Sequence, residues 1–450
     1  MKVVLSNKAY FNTTDQELWE FCRAQTMYQI FPAGSQYPTI FQNSGSIGAK
    51  LKFIPITRLE MLEQKGHHLE IIDKRIMNDV DIPKPTFTLR ADQQEIYDQI
   101  EDTCIINGKP GFGKTILGLA IAYKFQVKTL IITTNLMIRE QWIKEVRKHM
   151  GFEPGVIGSG KFDIDAPIVI GNIQTLNKHA MELGKEFGLV IVDEMHHCVA
   201  TTFTKFLENS SARFKIGLSG TLKRKDGLNV MFKDFFGLTV YSPPVSNTVP
   251  PTIHKYKVDV EVSGNNNVPW ANRASDVYDN KDYISHLIDK IFLYYRMGHK
   301  VLFVSERLNL IEEVVQYLDS ADVYCETIIG PTPNDERELI LQAIKNHEGA
   351  SVLAASQSIF SEGVSLDELS CLVIGSLINN ESLLEQLVGR VQRITKDKLD
   401  PVVVDTGLAG GTGWNQARGR ITVYRNNGWP IIDMTPEAEA NLKKIVFAKD

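Results

Sequence analysis

The sequence predicts an α/β protein: two parallel-sheet lobes of similar size, preceded by a small α+β domain. Three observations carry this. Short, near-continuous apolar runs alternate with longer amphipathic stretches, the pattern of strands buried on both faces of a helix-covered parallel sheet. The alternation pauses at residues 242–252, where four prolines in eleven residues suit an extended connector rather than a helix or a central strand. It is absent from residues 1–84, which read as a separate accessory region.

Taken in order, that region opens with acidic and aromatic residues (Asp15, Glu17, Trp19, Glu20, Phe21), passes through a Gly/Ser-rich middle and reaches a strand at Lys50–Pro55. The prolines at 83 and 85 end it. The first lobe, 85–241, has predicted strands at 103–107, 129–134, 168–172, 189–193 and 215–219. The stretch 137–150 reads as a helix, with Ile138, Trp142 and Val146 on one face and Lys144, Arg147 and Lys148 off it. A linker is expected over 242–275. The second lobe, 276–450, has predicted strands at 301–305, 324–329, 351–355, 371–375 and 402–405. No internal repeat or low-complexity tract interrupts the pattern.

Composition agrees. At 450 residues, 43% hydrophobic and 23% charged, the chain is long enough for two to four domains and excludes wholesale disorder, collagen or a coiled coil. No apolar run reaches the roughly 18 residues of a membrane span, and 1–11 lack a secretory signal pattern, so a cytoplasmic protein with no membrane partner is expected. Cys22, Cys104, Cys198, Cys325 and Cys371 are scattered and never in a Cys-x-x-Cys pair, which reads as small core residues. The net charge of −5 neither supports nor excludes nucleic-acid binding, which depends on a local basic groove.

Two motifs carry chemistry. Residues 108–115 (GKPGFGKT) fit G-x-x-x-x-G-K-[ST], after a predicted strand and opening a helix. Gly108, Gly111 and Gly113 let backbone N–H groups turn toward phosphates, Lys114 reaches the β and γ phosphates, and the Thr115 hydroxyl suits Mg²⁺. The apolar run 189–192 then ends in Asp193-Glu194. At the carboxyl edge of a parallel sheet with a phosphate loop, an Asp holds the metal and a Glu positions water.

Continuing as Asp193-Glu194-Met195-His196, the sequence resembles the DExH-type superfamily 2 helicases and translocases over most of residues 87–407. The resemblance implies two RecA-like lobes with ATP and Mg²⁺ as cofactors. Phe87 and Leu89-Arg90-Ala91-Asp92-Gln93 resemble the element that reads adenine, with Arg90 and Gln93 its polar members. Thr133-Thr134-Asn135-Leu136 with Gln141-Trp142, and Gln174-Thr175-Leu176, resemble the strand-tracking motifs. Ser219-Gly220-Thr221 resembles the motif linking hydrolysis to lobe movement. Gln386-Leu387-Val388-Gly389-Arg390-Val391-Gln392-Arg393 matches Q-x-x-G-R-x-x-R; Arg390 and Arg393, three apart on one expected helical face, suit arginine fingers, with Gln386 beside them. Gly363 belongs to a nucleotide-contacting segment, 361–365, in which Ser365 stands where many relatives have Asp.

Arg224-Lys225-Asp226 is similar to the Arg-Glu-Asp element of XPB-type repair helicases, with Lys225 in place of Glu; a solvated basic turn is the alternative. This draws the chain toward XPB-type enzymes and phage branch-migration helicases. The implied activity is an ATP-dependent DNA helicase or translocase acting as a monomer, without an obligate protein partner, on branched or forked DNA in recombination or repair, in the host cytoplasm if phage-encoded. An RNA helicase and an ATP-switched DNA-clamping subunit of a larger complex stay open as alternatives.

Four further readings remain. His196 is a candidate bridge to Gln386, while His149 and His197 read as structural or surface residues. His67-His68 lacks further ligands at zinc spacing. The 414–429 stretch, with Arg418, Arg420, Tyr424 and Arg425, reads as a C-terminal helix packed on the second lobe, or else as a backbone-tracking surface. Lys50, Lys52 and Arg58 are candidates for duplex phosphate contacts, which would make 1–84 the substrate-selecting domain.

Overall fold

The computed structural model describes residues 1–30, 39–109, 111–195, 204–220, 231–243, 248–264, 267–361, 366–393, 395 and 398–447. His196, His197, Cys198, Arg224, Lys225, Asp226 and Gly363 lie outside the described residues. The chain divides into two compact units, Met1–Val245 and Ser246–Asp450.

The first unit holds an eight-stranded sheet whose central strands are Ile168–Asn172, Thr129–Thr133, Leu189–Val192, Phe214–Ser219 and Cys104–Asn107, in that order and all parallel. Their apolar runs are buried on both faces, under separate core clusters around Trp142 and Ile131 on one side and Leu130 and Phe236 on the other. The order sets the site. Cys104–Asn107 feeds the phosphate loop and Leu189–Val192 feeds Asp193, with only Phe214–Ser219 between them.

Residues ahead of this lobe form their own five-stranded sheet, mostly antiparallel, in which Leu51–Ile54 occupies the predicted strand position. It is bound firmly to the lobe. Asp234, whose side chain is 1% exposed, accepts hydrogen bonds from Arg58 Nε (2.8 Å), the Tyr28 hydroxyl (2.9 Å) and Asn43 Nδ2 (2.6 Å). Arg58 is therefore a docking residue and not a free phosphate contact. Lys52 lies over the Trp19 ring, 5.2 Å from its centroid, whereas Lys50 remains exposed.

The second unit is a seven-stranded parallel sheet with Lys300–Ser305 and Cys371–Ile374 at its centre. Here the linker expectation for 242–275 is corrected. Thr252–Glu261 is a ten-residue strand inside this sheet, parallel to Val402–Ala409 and Ile431–Asp433, and Trp270–Tyr278 is a helix. The prolines only precede the strand, and its interspersed lysines, His254 and Asp259 break the apolar run that marks the other strands.

The helix Gly410–Asn426 packs as a structural element, and it holds a buried ion pair. Arg420 Nε and Nη2 donate to Asp405 (2.9 and 2.6 Å), and the Tyr424 hydroxyl donates to the same carboxylate at 2.6 Å. Those two residues do not track a backbone. Removing one partner strands the other charge in the core, at a cost of about 3–5 kcal/mol. Arg420→Met should destabilise the second unit by that amount in chemical denaturation, and adding Asp405→Leu should recover most of it. A loss under about 1 kcal/mol for the single variant would show that Tyr424 alone satisfies Asp405.

Candidate nucleotide site

The phosphate loop is shaped by its glycines. Gly111 and Gly113 take φ of +87° and +82°, where side chains are strained, and a Cβ on Gly113 would sit 2.5 Å from Gln93 Nε2. Gln93 is 2% exposed and fully engaged: its Oε1 accepts the Arg90 N–H (3.0 Å) and its Nε2 donates to Phe112 O (2.8 Å). Arg90 Nη2 donates to the same carbonyl at 2.7 Å. The two residues expected to read adenine thus brace the loop from behind, and in this conformation the Gln93 amide faces protein rather than a base.

Lys114 opens the helix Lys114–Phe125, followed by Thr115 in its first turn. The Lys114 ammonium donates to Gly108 O at 3.1 Å and lies 3.2 Å from Glu194 Oε1. Glu194 holds a φ of +47°, uncommon for a residue with a side chain and costing about 1–3 kcal/mol. Its backbone N–H is turned onto Asp193 Oδ1 at 2.9 Å. The structure therefore brings Gly108, Lys114, Asp193 and Glu194 together at the carboxyl edge of the sheet.

One member of the group lies outside the motifs. The indole N–H of Trp142 donates to Asp193 Oδ2 at 2.8 Å, so both oxygens of that carboxylate are held. Trp142 is fully buried, and its ring presses on the phosphate-loop helix so closely that a Cβ on Gly118 would stand 2.7 Å from it. Its segment resembles a strand-tracking motif, yet the Trp142 side chain is buried against the phosphate-loop helix with Asp193 as its partner. A sign of this was present, since Trp142 falls on the apolar face of its helix and a buried indole N–H needs an acceptor. Burial first, and then the neighbouring Glu194 charge, push the Asp193 carboxyl up to about 6, against the pull of Lys114 and the Trp142 N–H.

The strand-tracking candidates divide. Thr133 is 0% exposed with its hydroxyl directed at Gly171 O, so it is a core residue and not a surface contact. Asn135 caps the helix Leu136–Met150, accepting from the Ile138 N–H at 2.9 Å. Thr134 and Thr175 are half-buried, and exposed Gln174 donates to Thr134 O at 3.4 Å, which brings the two segments together. His149 is structural, in contact with Thr86, Glu145 and the Phe87 ring.

In the second unit the expected arginine geometry is corrected. The helix carrying Gln386 runs Glu381–Gly389 and stops there, so Arg390 and Arg393 do not share a helical face. After two short-range turns at Arg390 and Val391, Arg393 forms an isolated bridge with Thr248. Arg390 is buried at 8% exposure, and Arg393 forms an ion pair with Asp367, whose backbone oxygen accepts Lys398. The Gly389 end and the bridge to a distant segment decide this, and neither is visible in the motif.

Trp142→Phe removes the donor to Asp193 and one ring of the buried indole. A hydrogen bond to a buried charge contributes about 1.5–3 kcal/mol, so chemical denaturation should show a loss of at least that size in the first unit. A change below about 0.5 kcal/mol would mean that the indole N–H does not hold Asp193.

Comparison with known proteins agrees with this geometry. Residues 86–224 match the family described as type III restriction enzyme, res subunit, and residues 282–395 match the helicase conserved C-terminal domain. The chain is 62% identical to "Probable helicase D10" of Escherichia phage T5 over 448 residues, covering 99% of each. It is 26% identical to "DNA 3'-5' translocase XPB2" of Sulfurisphaera tokodaii over 69% of this chain and 79% of that one. The solved structure of S. cerevisiae Dbp5 bound to RNA and ADP BeF3 shares the fold, with a TM-score of 0.54 at 12% identity over 79% of this chain and 93% of that one. With its two parallel-sheet lobes and its phosphate-loop site, the chain belongs to the superfamily 2 helicases, ATP-hydrolysing enzymes that act on nucleic acid.

Proposed function

We propose that this helicase is a DExH-type DNA translocase that remodels forked and four-way branched DNA in recombination or replication repair. The observation that carries the ATP-driven part is the cluster of Lys114, Asp193 and Glu194 at one sheet edge. DNA as substrate is supported by the relative named a DNA translocase. The branched-DNA reading rests on the extra N-terminal sheet docked on the first lobe, since a motor that grips phosphates without sequence preference needs a further surface to choose among DNA shapes.

The site's donor set fits Mg²⁺ with ATP: a carboxylate held on both oxygens, a hydroxyl in the first turn of the loop helix, and glycine-turned amides beside a lysine. Thr115 and Asp193 would hold the metal, which when bound neutralises charge on the β and γ phosphate oxygens. Lys114 exchanges its contact with Glu194 for the phosphates. Glu194, released from the lysine, orients the attacking water and draws its proton. Arg90 and Gln93 keep the loop in shape and contribute to adenine binding, and a nucleotide-binding role is also assigned to Gly363. Arg390 and Arg393 supply positive charge to the transferring phosphoryl group, with Gln386 positioning them, and Arg393 leaves Asp367 to do so. Thr134, Asn135, Gln174, Thr175 and Arg224 form the DNA track, from which Thr133 is excluded by its burial.

ATP turnover measured with forks, Holliday junctions, single-stranded DNA and RNA tests the reading. Forks and junctions should stimulate most; equal or greater stimulation by RNA would favour an RNA helicase, and none by any nucleic acid would remove the motor reading. Glu194→Gln should retain ATP binding and lose turnover, because the amide keeps the shape without the charge that orients water; near-normal turnover would remove Glu194 from this role. Arg393→Ala should lower turnover on the order of 10³-fold while DNA affinity without nucleotide stays intact. If affinity collapses and turnover of bound enzyme does not, Arg393 belongs to the DNA track.

A further inference from the structure

Beneath the N-terminal sheet, where it meets the first lobe, lies a small cavity whose charge is unbalanced. Lys8 follows the first strand, Lys2–Leu5, and Lys215 lies in Phe214–Ser219 of the lobe; they are 9% and 8% exposed, and both line the cavity with Arg75 and Arg213. Asp234 is the one acidic residue among the lining side chains, and it is already engaged by Arg58, Tyr28 and Asn43. Arg75 and Arg213 are paired outward with Asp73 and Asp102.

Among the described residues the two lysines have no such partner. Lys215 reaches only the carbonyl of Leu207, at 3.5 Å, and Lys8 lies 5.8 Å from the centre of the Phe235 ring. Asp234 and Glu208 attract Lys8 from a distance, while Lys8 and Arg75 repel Lys215. Burial, followed by those two like charges, pushes the Lys215 ammonium down to about 7, and burial lowers Lys8. A buried ammonium without a counter-charge is costly, and natural proteins pair such groups.

We infer that this cavity is an oxyanion site, taking a tetrahedral phosphate between Lys8 and Lys215. Its volume of about 30 Å³ exceeds the roughly 10–15 Å³ that one water needs and suits one compact ion rather than a nucleotide. The Thr103 hydroxyl on its wall accepts the Lys215 backbone N–H at 3.1 Å and keeps its own proton to donate, and Arg75 and Arg213 add positive potential without giving up their carboxylates. Lys8 lies in the turn joining the strands Lys2–Leu5 and Ala9–Asn12 of the N-terminal sheet and Lys215 in a strand of the lobe, so a bound phosphate cross-links the two. The site is distinct from the phosphate loop, which uses Lys114 and the opposite, carboxyl edge of the sheet: Lys215 is the second residue of its strand, and Ser219 at the other end neighbours Asn107. The ligand is either free orthophosphate or the terminal phosphate of a nucleic-acid strand, which present the same dianion.

The test uses the full chain with its phosphate loop filled by saturating Mg·ADP. Orthophosphate is titrated against chloride at matched ionic strength, and the thermal midpoint and the calorimetric stoichiometry are read. One phosphate per chain should bind, with a midpoint that rises with the logarithm of phosphate concentration. Lys215→Met and Lys8→Met, which keep the volume and remove the charge, should each weaken that binding at least tenfold while leaving ADP affinity unchanged. Either variant suffices if the other does not fold. Competition by a 5′-phosphorylated oligonucleotide, but not by its 5′-hydroxyl counterpart, would assign the ligand to a strand end; competition by neither assigns it to free phosphate. No phosphate binding beyond the chloride control, or binding unchanged in the lysine variants, overturns the proposal.

Discussion

Trp142 and Asp193 are 51 residues apart in the chain, yet the hydrogen bond between them organises the motor site. It turns a carboxylate that burial would otherwise protonate or misdirect into one with both oxygens fixed, and it does so from a side chain wedged against the phosphate-loop helix. The Glu194 amide completes the arrangement by taking a left-handed backbone conformation. The phosphate loop, Asp193 and Glu194 are thereby tied to one packed core. Such coupling lets a site built from loops behave as if it were built on rigid elements.

On the function proposed above, three contacts are exchanged during a cycle. Lys114 rests on Glu194, Arg393 on Asp367, and the Gln93 amide on the loop carbonyls. Each pairing neutralises a group that would otherwise sit partly buried with an unsatisfied charge or donor, and each is replaceable by a phosphate or a base. Each of these side chains thus has a protein partner, a low-cost way to keep polar residues in a half-buried place.

The N-terminal sheet follows a different logic. It is fastened to the lobe by a carboxylate with three donors, Arg58, Tyr28 and Asn43, so Arg58 is committed to docking. Exposed Lys50 is left for solvent-facing contacts. Deleting the sheet would leave Asp234 and Lys215 without their surroundings. The role proposed for it in substrate choice is therefore better probed on the intact chain.

The sequence by itself determined the parts of the molecule that depend on local pattern. Buried parallel strands need continuous apolar runs, and 189–192 and 371–374 supply them; a phosphate loop needs glycines at fixed spacing, and Gly111 and Gly113 stand where positive φ is required. The strand Thr252–Glu261 escaped because it is mixed in polarity and is recognised only once its parallel partner Val402–Ala409 lies beside it. Tertiary structure alone decided what the polar side chains do. Thr133 is buried by its neighbouring strands, Arg58 is claimed by Asp234 from 176 residues away, and Arg390 and Arg393 leave the helix because it ends at Gly389. The physical reason is range: backbone conformation answers to residues a few positions away, whereas the partner of a buried charge or donor is chosen by whatever distant segment the fold brings within about 3 Å.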